Sequence, residues 1–411
     1  VNLALHHIPD TAITALARGE AGAAVVGSLR AAELSKHHLL LLAVVRESED
    51  SGHPNAGLAA AAYARLASLD RSAPASVERV IGHPATGHRL MRTYETLRRG
   101  GKRADLDPGL LAALALAAAV DAGLPCQAEL HLPPDLLMLP SVGCVLLDGL
   151  PEGNTTIRVE PTAEGCLLWL PPEERPVQVS AIDSGRWRAL SRLSLPGGPD
   201  LILDDLDPCR WPSGRPVLDR LTDAQRRRWK AELTEGWRIL RTTHPTVAAE
   251  FGEAISAIVP IPPGSGGLAS ATNVQLFGAI AMSSHADPLD AACSLTHELQ
   301  HAKLNALQEV VDLARPEPGV FYRAPWRTDE RPAHALLQGV YAFFGVSAFW
   351  REQSQHGPAD GRARARTEYE RHSHDVDRAA ADLLAGEGLT DQGRRFVETI
   401  RATLADWRNQ I

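Results

Sequence analysis

CSLTHELQHAKLNALQEVVDL, residues 293–313, contains the run His297-Glu298-Leu299-Gln300-His301. The stretch reads as one helix from about Leu289 to Leu313. At 3.6 residues per turn the two histidines lie one above the other on a single face, close enough to share an ion. Glu298 is turned roughly 100° away, where it can meet a bound water or brace the site. Ala291, Leu295, Leu299, Ala302, Leu304 and Leu307 make the flanks apolar. A buried helix carrying two histidines one turn apart is expected to be a metal site. The alternative is a pair of satisfied structural histidines.

Upstream, ATNVQLFGAIAMS (271–283) is a strand candidate, or a pair bent at Gly278, and an Asp287-Pro288 turn separates it from the helix. AISAIVPIP (254–262) is extended and apolar, and GSGG (264–267) reads as a turn. Before that, LTDAQRRRWKAELTEGWRILRTTHPTVAAEFGEAI reads as two helices meeting near His244-Pro245, the first capped by Thr222 with Gln225 completing a capping box. QAELHLP (127–133), GCVLLDG (143–149), TTIRVEP (155–161), CLLWLPP (166–172) and VQVSAID (177–183) are short, β-branched or alternating, as in an antiparallel sheet. LILDDLDPCR adds a strand ending at Leu203, followed by Asp204, Asp205 and Asp207. Three carboxylates in four positions suit a hard cation, but a capping turn is the stronger reading. Residues 9–124 read as helical, with Asp10 and Ser76 as caps. After the histidine helix, helices are expected at 334–350, 363–386 and 390–409, the last starting at Leu389-Thr390. The expected fold is therefore α+β and mostly helical: a helical region over 1–125, a β-rich region with a central antiparallel sheet over 126–213, and a mostly helical metal-binding catalytic region over 214–411. The histidine helix should pack on strands, as in a zincin.

The chain has 411 residues, 44% of them hydrophobic, enough for two or three cores, and a net charge of −8. That charge, without a long Lys/Arg block, argues against nucleic acid as an obligate partner. No run of 18 apolar residues suggests a membrane span. Cys126, Cys144, Cys166, Cys209 and Cys293 form no CxxC, as expected of buried thiols in a cytoplasmic protein. Cys293 lies one turn before His297 on the same face.

Two imidazoles need a third ligand. HExxHxxGxxH is not continued, because Leu304 and Leu307 stand where Gly and His would be. His334, at the start of the next buried helix, is the first candidate, because imidazole binds first-row metals better than an amide does. Gln338, one turn on, is the second. Glu309 lies too far along the same helix to turn back. Between the helices, RPEPGVFYRAPWRTDERP (315–332) spaces Arg323, Arg327 and Arg331 every four residues beside stiffening prolines. Guanidinium forks match carboxylates, so an anionic cosubstrate or a peptide carboxylate is expected there.

HELQHAKLNAL, YRAPWRTDERPAHALLQGVYAFFGVSAFW and DDLDPCRWP (204–212) together resemble the HEXXH-motif proteins associated with ribosomally made, post-translationally modified peptides. The resemblance covers roughly 200–411. It implies a 2-oxoglutarate- and Fe(II)-dependent peptide β-hydroxylase that uses O₂ on a ribosomally synthesised precursor peptide. His297 and His301 would then be iron ligands, and Arg327 or Arg331 would hold 2-oxoglutarate. Glu298 would orient a ligand or bind the iron. The alternatives are a zinc metallopeptidase, in which Zn(II) and Glu298 activate a water, and a non-catalytic, metal-stabilised peptide-binding protein.

Overall fold

The computed structural model describes residues 6–410 except 102, 151, 173–174, 213, 265–266 and 317–319. The middle of the 264–267 turn and part of the 315–332 loop thus lie outside the described residues.

Helices come first: α1 (Asp10–Arg18), α2 (Gly22–Asp50), α3 (Ala56–Ser72), α4 (Pro74–Ile81), α5 (Pro84–Arg98) and α6 (Ala112–Ala122). Alanines and leucines make α6 apolar on every side, and eight of its residues are buried, as expected of a helix inside a core. It ends on Gly123 at φ 62°, a left-handed cap that glycine adopts without strain. Within the region expected to be helical, Gly19 closes α1, and α2 then runs unbroken for 29 residues.

Strands begin at Cys126. β1 (Cys126–Leu132), β2 (Leu136–Leu139), β3 (Gly143–Leu146), β4 (Gly153–Thr162), β5 (Gly165–Trp169), β6 (Val177–Val179), β7 (Trp187–Ala189), β8 (Ser191–Ser194) and β9 (Asp200–Leu203) follow in order. Cys126, Ala128, Leu130 and Leu132 of β1 are buried while Gln127 and Glu129 face out, the period-2 alternation of a half-covered strand. β1-β4-β5-β6 form one antiparallel sheet and β2-β3-β7 another.

α7 (Asp223–Thr243) starts on the expected capping box, with Thr222 and Gln225 bonding reciprocally, and α8 (Pro245–Ala254) follows His244. β10 (Ala257–Pro260), β11 (Ser270–Ala271) and β12 (Ala279–Met282) complete a third sheet, ordered β11-β12-β10-β9-β8. This sheet corrects the expected architecture. It is mixed, because β10 runs parallel to both β9 and β12, while only the outer pairs are antiparallel. Gly278 at φ 91° makes the bend expected before β12. The helical end of the chain comprises α9 (Pro288–Gln308), α10 (Ala333–His356), α11 (Arg362–Ala385) and α12 (Asp391–Arg408), with the hairpin β13 (Tyr322–Arg323) and β14 (Glu330–Arg331) between α9 and α10. The chain is thus an α+β fold, mostly helical, with several antiparallel pairings. No helix among the described residues is long and apolar enough to cross a membrane.

Two large cores share the molecule. One joins α1, α7, α8, the third sheet and α9–α12; the other joins α3–α6 to the first two sheets. Within the first, Lys303 and Glu250 form a fully buried ion pair, and the other Glu250 oxygen accepts from Gly22 N–H at the start of α2. The Lys303 ammonium also lies 5.6 Å from the Tyr341 ring centre, and Tyr341 donates to the Leu16 carbonyl. A buried charge with this many partners holds α1, α2, α8, α9 and α10 in one geometry.

Candidate functional site

Asp287 caps α9 by accepting from Leu289 N–H, and Pro288 takes the first helical position, where its missing donor costs nothing. The helix ends at Gln308, five residues before the expected Leu313, and Glu309 beyond it turns to Lys36 of α2 at 3.5 Å. His297 and His301 face one another as their spacing requires, with Nε2 atoms 3.2 Å apart and rings edge to face.

One hydrogen bond fixes a proton on His301. Gln338 of α10 gives both amide hydrogens away, to Asn305 Oδ1 and Gln308 Oε1, each at 2.8 Å. Its Oε1 is therefore the atom facing His301 Nδ1 at 3.0 Å, so that nitrogen carries a proton. His301 Nε2 and His297 Nε2 then meet across the one hydrogen between them. Burial, followed by the neighbouring His301 and His372, lowers the His297 pKa to about 3, which keeps this ring neutral at pH 7. Gln338, His301 and His297 thus form one hydrogen-bonded row.

Aromatic rings close the other side. Phe343 lies edge-on to His297, stacks against His372 of α11 and touches Trp326 of the hairpin loop. Burial, chiefly, lowers the His372 pKa to about 4. Glu298 points away from the histidines and accepts from Ser270 Oγ at 2.7 Å and Thr272 Oγ1 at 2.6 Å, fastening α9 to the edge strand β11.

Several expectations are corrected here. Among the described residues no three His, Cys, Asp or Glu side chains come together where an ion could be held. The Fe(II) centre, and the Zn(II) centre of the alternative, therefore lack their ligand set. His334, expected as the third ligand, is exposed on the first turn of α10. Gln338 reaches His301 as a hydrogen-bond acceptor. Burial pushes the Cys293 thiol up to about 12, so it stays protonated.

The arginine ladder is also already matched. Arg327 forks onto Asp329 at 2.7 and 3.3 Å, Arg331 meets the same carboxylate at 2.9 Å, and Arg323 lies 3.3 Å from Glu330. These side chains are exposed or half-exposed and pair within their own hairpin. The carboxylates that pair with them here are the protein's own.

Asp204, Asp205 and Asp207 are all buried but serve separate partners, as the capping-turn reading expects. Asp204 accepts from Leu206 and Asp207 N–H, Asp205 takes Arg220 and Leu221 N–H, and Asp207 takes Cys209 N–H and Arg89.

His372, Phe343, Ser270 and Thr272 were not anticipated. The only signal was that AFFGVSAFW carries more aromatic surface than one helix face needs, and that two hydroxyl residues flank Ala271 in an otherwise apolar strand. No protein-family model matches the chain, and no curated protein matches it significantly.

Proposed function

We propose that this protein binds an extended segment of a ribosomally made precursor peptide as an added strand along the open edge of β11. The observation that carries the reading is that β11 is the outermost strand of its sheet and is fastened to the histidine helix by Glu298. Ser283 N–H donates to the Ala269 carbonyl, so Ala269 faces β12. Alternation then turns the Ser270 N–H and carbonyl outward, toward a further strand. Leu268 and Val274, 53% and 47% exposed, flank this edge and offer apolar contacts to an incoming chain. Main-chain bonds supply affinity in this mode and side-chain contacts supply selectivity. The resemblance of HELQHAKLNAL and its companion segments to peptide-modifying proteins supports the class of ligand. The hydroxylase and peptidase readings both require a third metal ligand that the described residues do not bring to His297 and His301.

Titrating a labelled precursor peptide encoded beside this gene, followed by fluorescence anisotropy, tests the reading. Ser270→Ala removes the hydroxyl alone, whereas Ser270→Pro also removes the outward N–H. Binding is expected in the parent chain, with the proline variant about tenfold weaker than the alanine variant, the worth of one hydrogen bond of about 1.4 kcal/mol. Absence of binding, or equal affinity of the two variants, rejects strand addition at this edge.

A further inference from the structure

Between α6 and the Pro208-Cys209 turn lies a cavity of about 330 Å³, walled also by β2 and by Arg89 of α5. Its volume falls in the range of small-molecule sites. Leu110, Ala113 and Leu114 line it from α6 and the turn before that helix, and Leu136 and Met138 line it from β2. Pro133, Pro134, Pro140 and Pro208 complete much of the wall. A proline ring is apolar and its nitrogen carries no hydrogen, so this wall offers few donors. Met138 is 5% exposed, and an unbranched thioether adapts to the shape of what it touches.

The charges around the cavity are matched within the protein. Arg89 pairs with the buried Asp207 at 2.9 Å, and Arg103 forks onto Asp105 at 3.0 and 2.8 Å. Burial, chiefly, raises the Cys209 pKa, so that thiol stays protonated. Asp135 stands exposed on the rim, where water screens it. Among the described residues, none of the buried polar atoms left without a hydrogen bond belongs to this wall. Apolar sides with no unmet polar group hold water weakly, and an apolar guest gains by displacing it. One donor remains. Arg89 bonds Asp207 and, at 3.4 Å, the Asp105 carbonyl, and its side chain is 16% exposed, so it keeps further N–H hydrogens. A neutral oxygen can accept one of them without bringing an unpaired charge into the protein.

We infer that this cavity binds a small uncharged molecule with an aliphatic body and one hydroxyl or carbonyl oxygen, the body between α6 and β2 and the oxygen toward Arg89. The site shares no residue with β11 or the histidine pair, so its occupancy does not depend on peptide binding there.

Titrating the full chain with octan-1-ol, and separately with octanoate and octylamine, tests the inference, because the three share one alkyl chain and differ in charge. The chain has three methionines and Met138 is the one on this wall, so its ¹³C methyl signal reports occupancy. That signal should move saturably with octan-1-ol, with a Kd below about 1 mM, and both charged analogues should bind at least about tenfold more weakly. Ala113→Leu adds volume from the α6 side and should weaken octan-1-ol binding at least about tenfold, while the melting temperature without ligand holds or rises. Leu136→Thr, at the half-buried mouth, removes apolar contact without touching the core and should also weaken binding. An unmoved Met138 signal, a charged analogue bound as tightly as the alcohol, or full affinity in both variants overturns the inference. Displacement of the alcohol by the precursor peptide would make the cavity a side-chain pocket for that partner, and overturns it as well.

Discussion

Gln338 accepts from His301 while giving both of its hydrogens to Asn305 and Gln308, so one side chain fixes the proton on His301 Nδ1. Gln338→Leu keeps the volume and strands three polar groups at once. We expect stability to fall by about 1–3 kcal/mol, read as a lower melting temperature. The ¹⁵N spectrum of the His301 ring should also change from one tautomer to a mixture, and an unchanged spectrum would show that Gln338 does not set the proton position. The histidine pair itself was legible in the sequence, because four-residue spacing on a helix is local geometry. Its partner was not. Gln338 lies 37 residues from His301, and only the packing of α10 on α9 brings it there. The arginines' present partners, Asp329 and Glu330, are local too and lie in the same TDER string.

Among the elements, β11 depends on α9 more than on its own two residues. Glu298 supplies the acceptors for Ser270 and Thr272, a stronger tie than a two-residue ladder provides. Glu298→Leu should therefore loosen the strand while leaving the helix intact. Hydrogen exchange should quicken at Ser283 N–H, which is bonded to the Ala269 carbonyl, and stay slow along the middle of α9. Equal protection in the variant would show that β11 is held by something else. Helices were largely legible where caps announced them, as at Thr222 and Thr390. Short strands such as Trp187–Ala189 and Ser191–Ser194 were not, because three or four residues carry too little alternation to read. The parallel pairing of β10 with β9 and β12 was hidden for another reason: parallel partners come from separate crossovers, and no hairpin signal marks them.

For the whole molecule, acid should be more damaging than the net charge of −8 suggests. His37, His83, His244 and His372 are held to pKa values of about 4, and His297 to about 3, chiefly by burial. A histidine whose folded pKa lies below its unfolded value contributes fully above about pH 6.5, and that contribution is lost as pH falls toward the folded value. Each such group weakens the fold by about 1.4 kcal/mol per pH unit across that window. Asp204 works in the opposite sense: burial raises its pKa to about 7, so its stabilising effect is lost as pH rises from about 4 to 7. Glu33, also raised by burial, acts in the same sense as Asp204, but the buried histidines outnumber these two carboxylates. Melting temperature should fall steeply between pH 6.5 and 4, and a flat profile over that range would show that these imidazoles are solvated.

α2 has Val26 and Leu29 in one core and Leu41, Val44 and Val45 in the other. Its 29 residues span about 43 Å, so a single rigid rod is built into both halves of the molecule. Neither core can open without leaving half of this rod bare in water, so damage at one end is felt at the other. A fragment ending near residue 125 would keep α2 with α3–α6 but lose the sheets and α7–α12 that complete both cores.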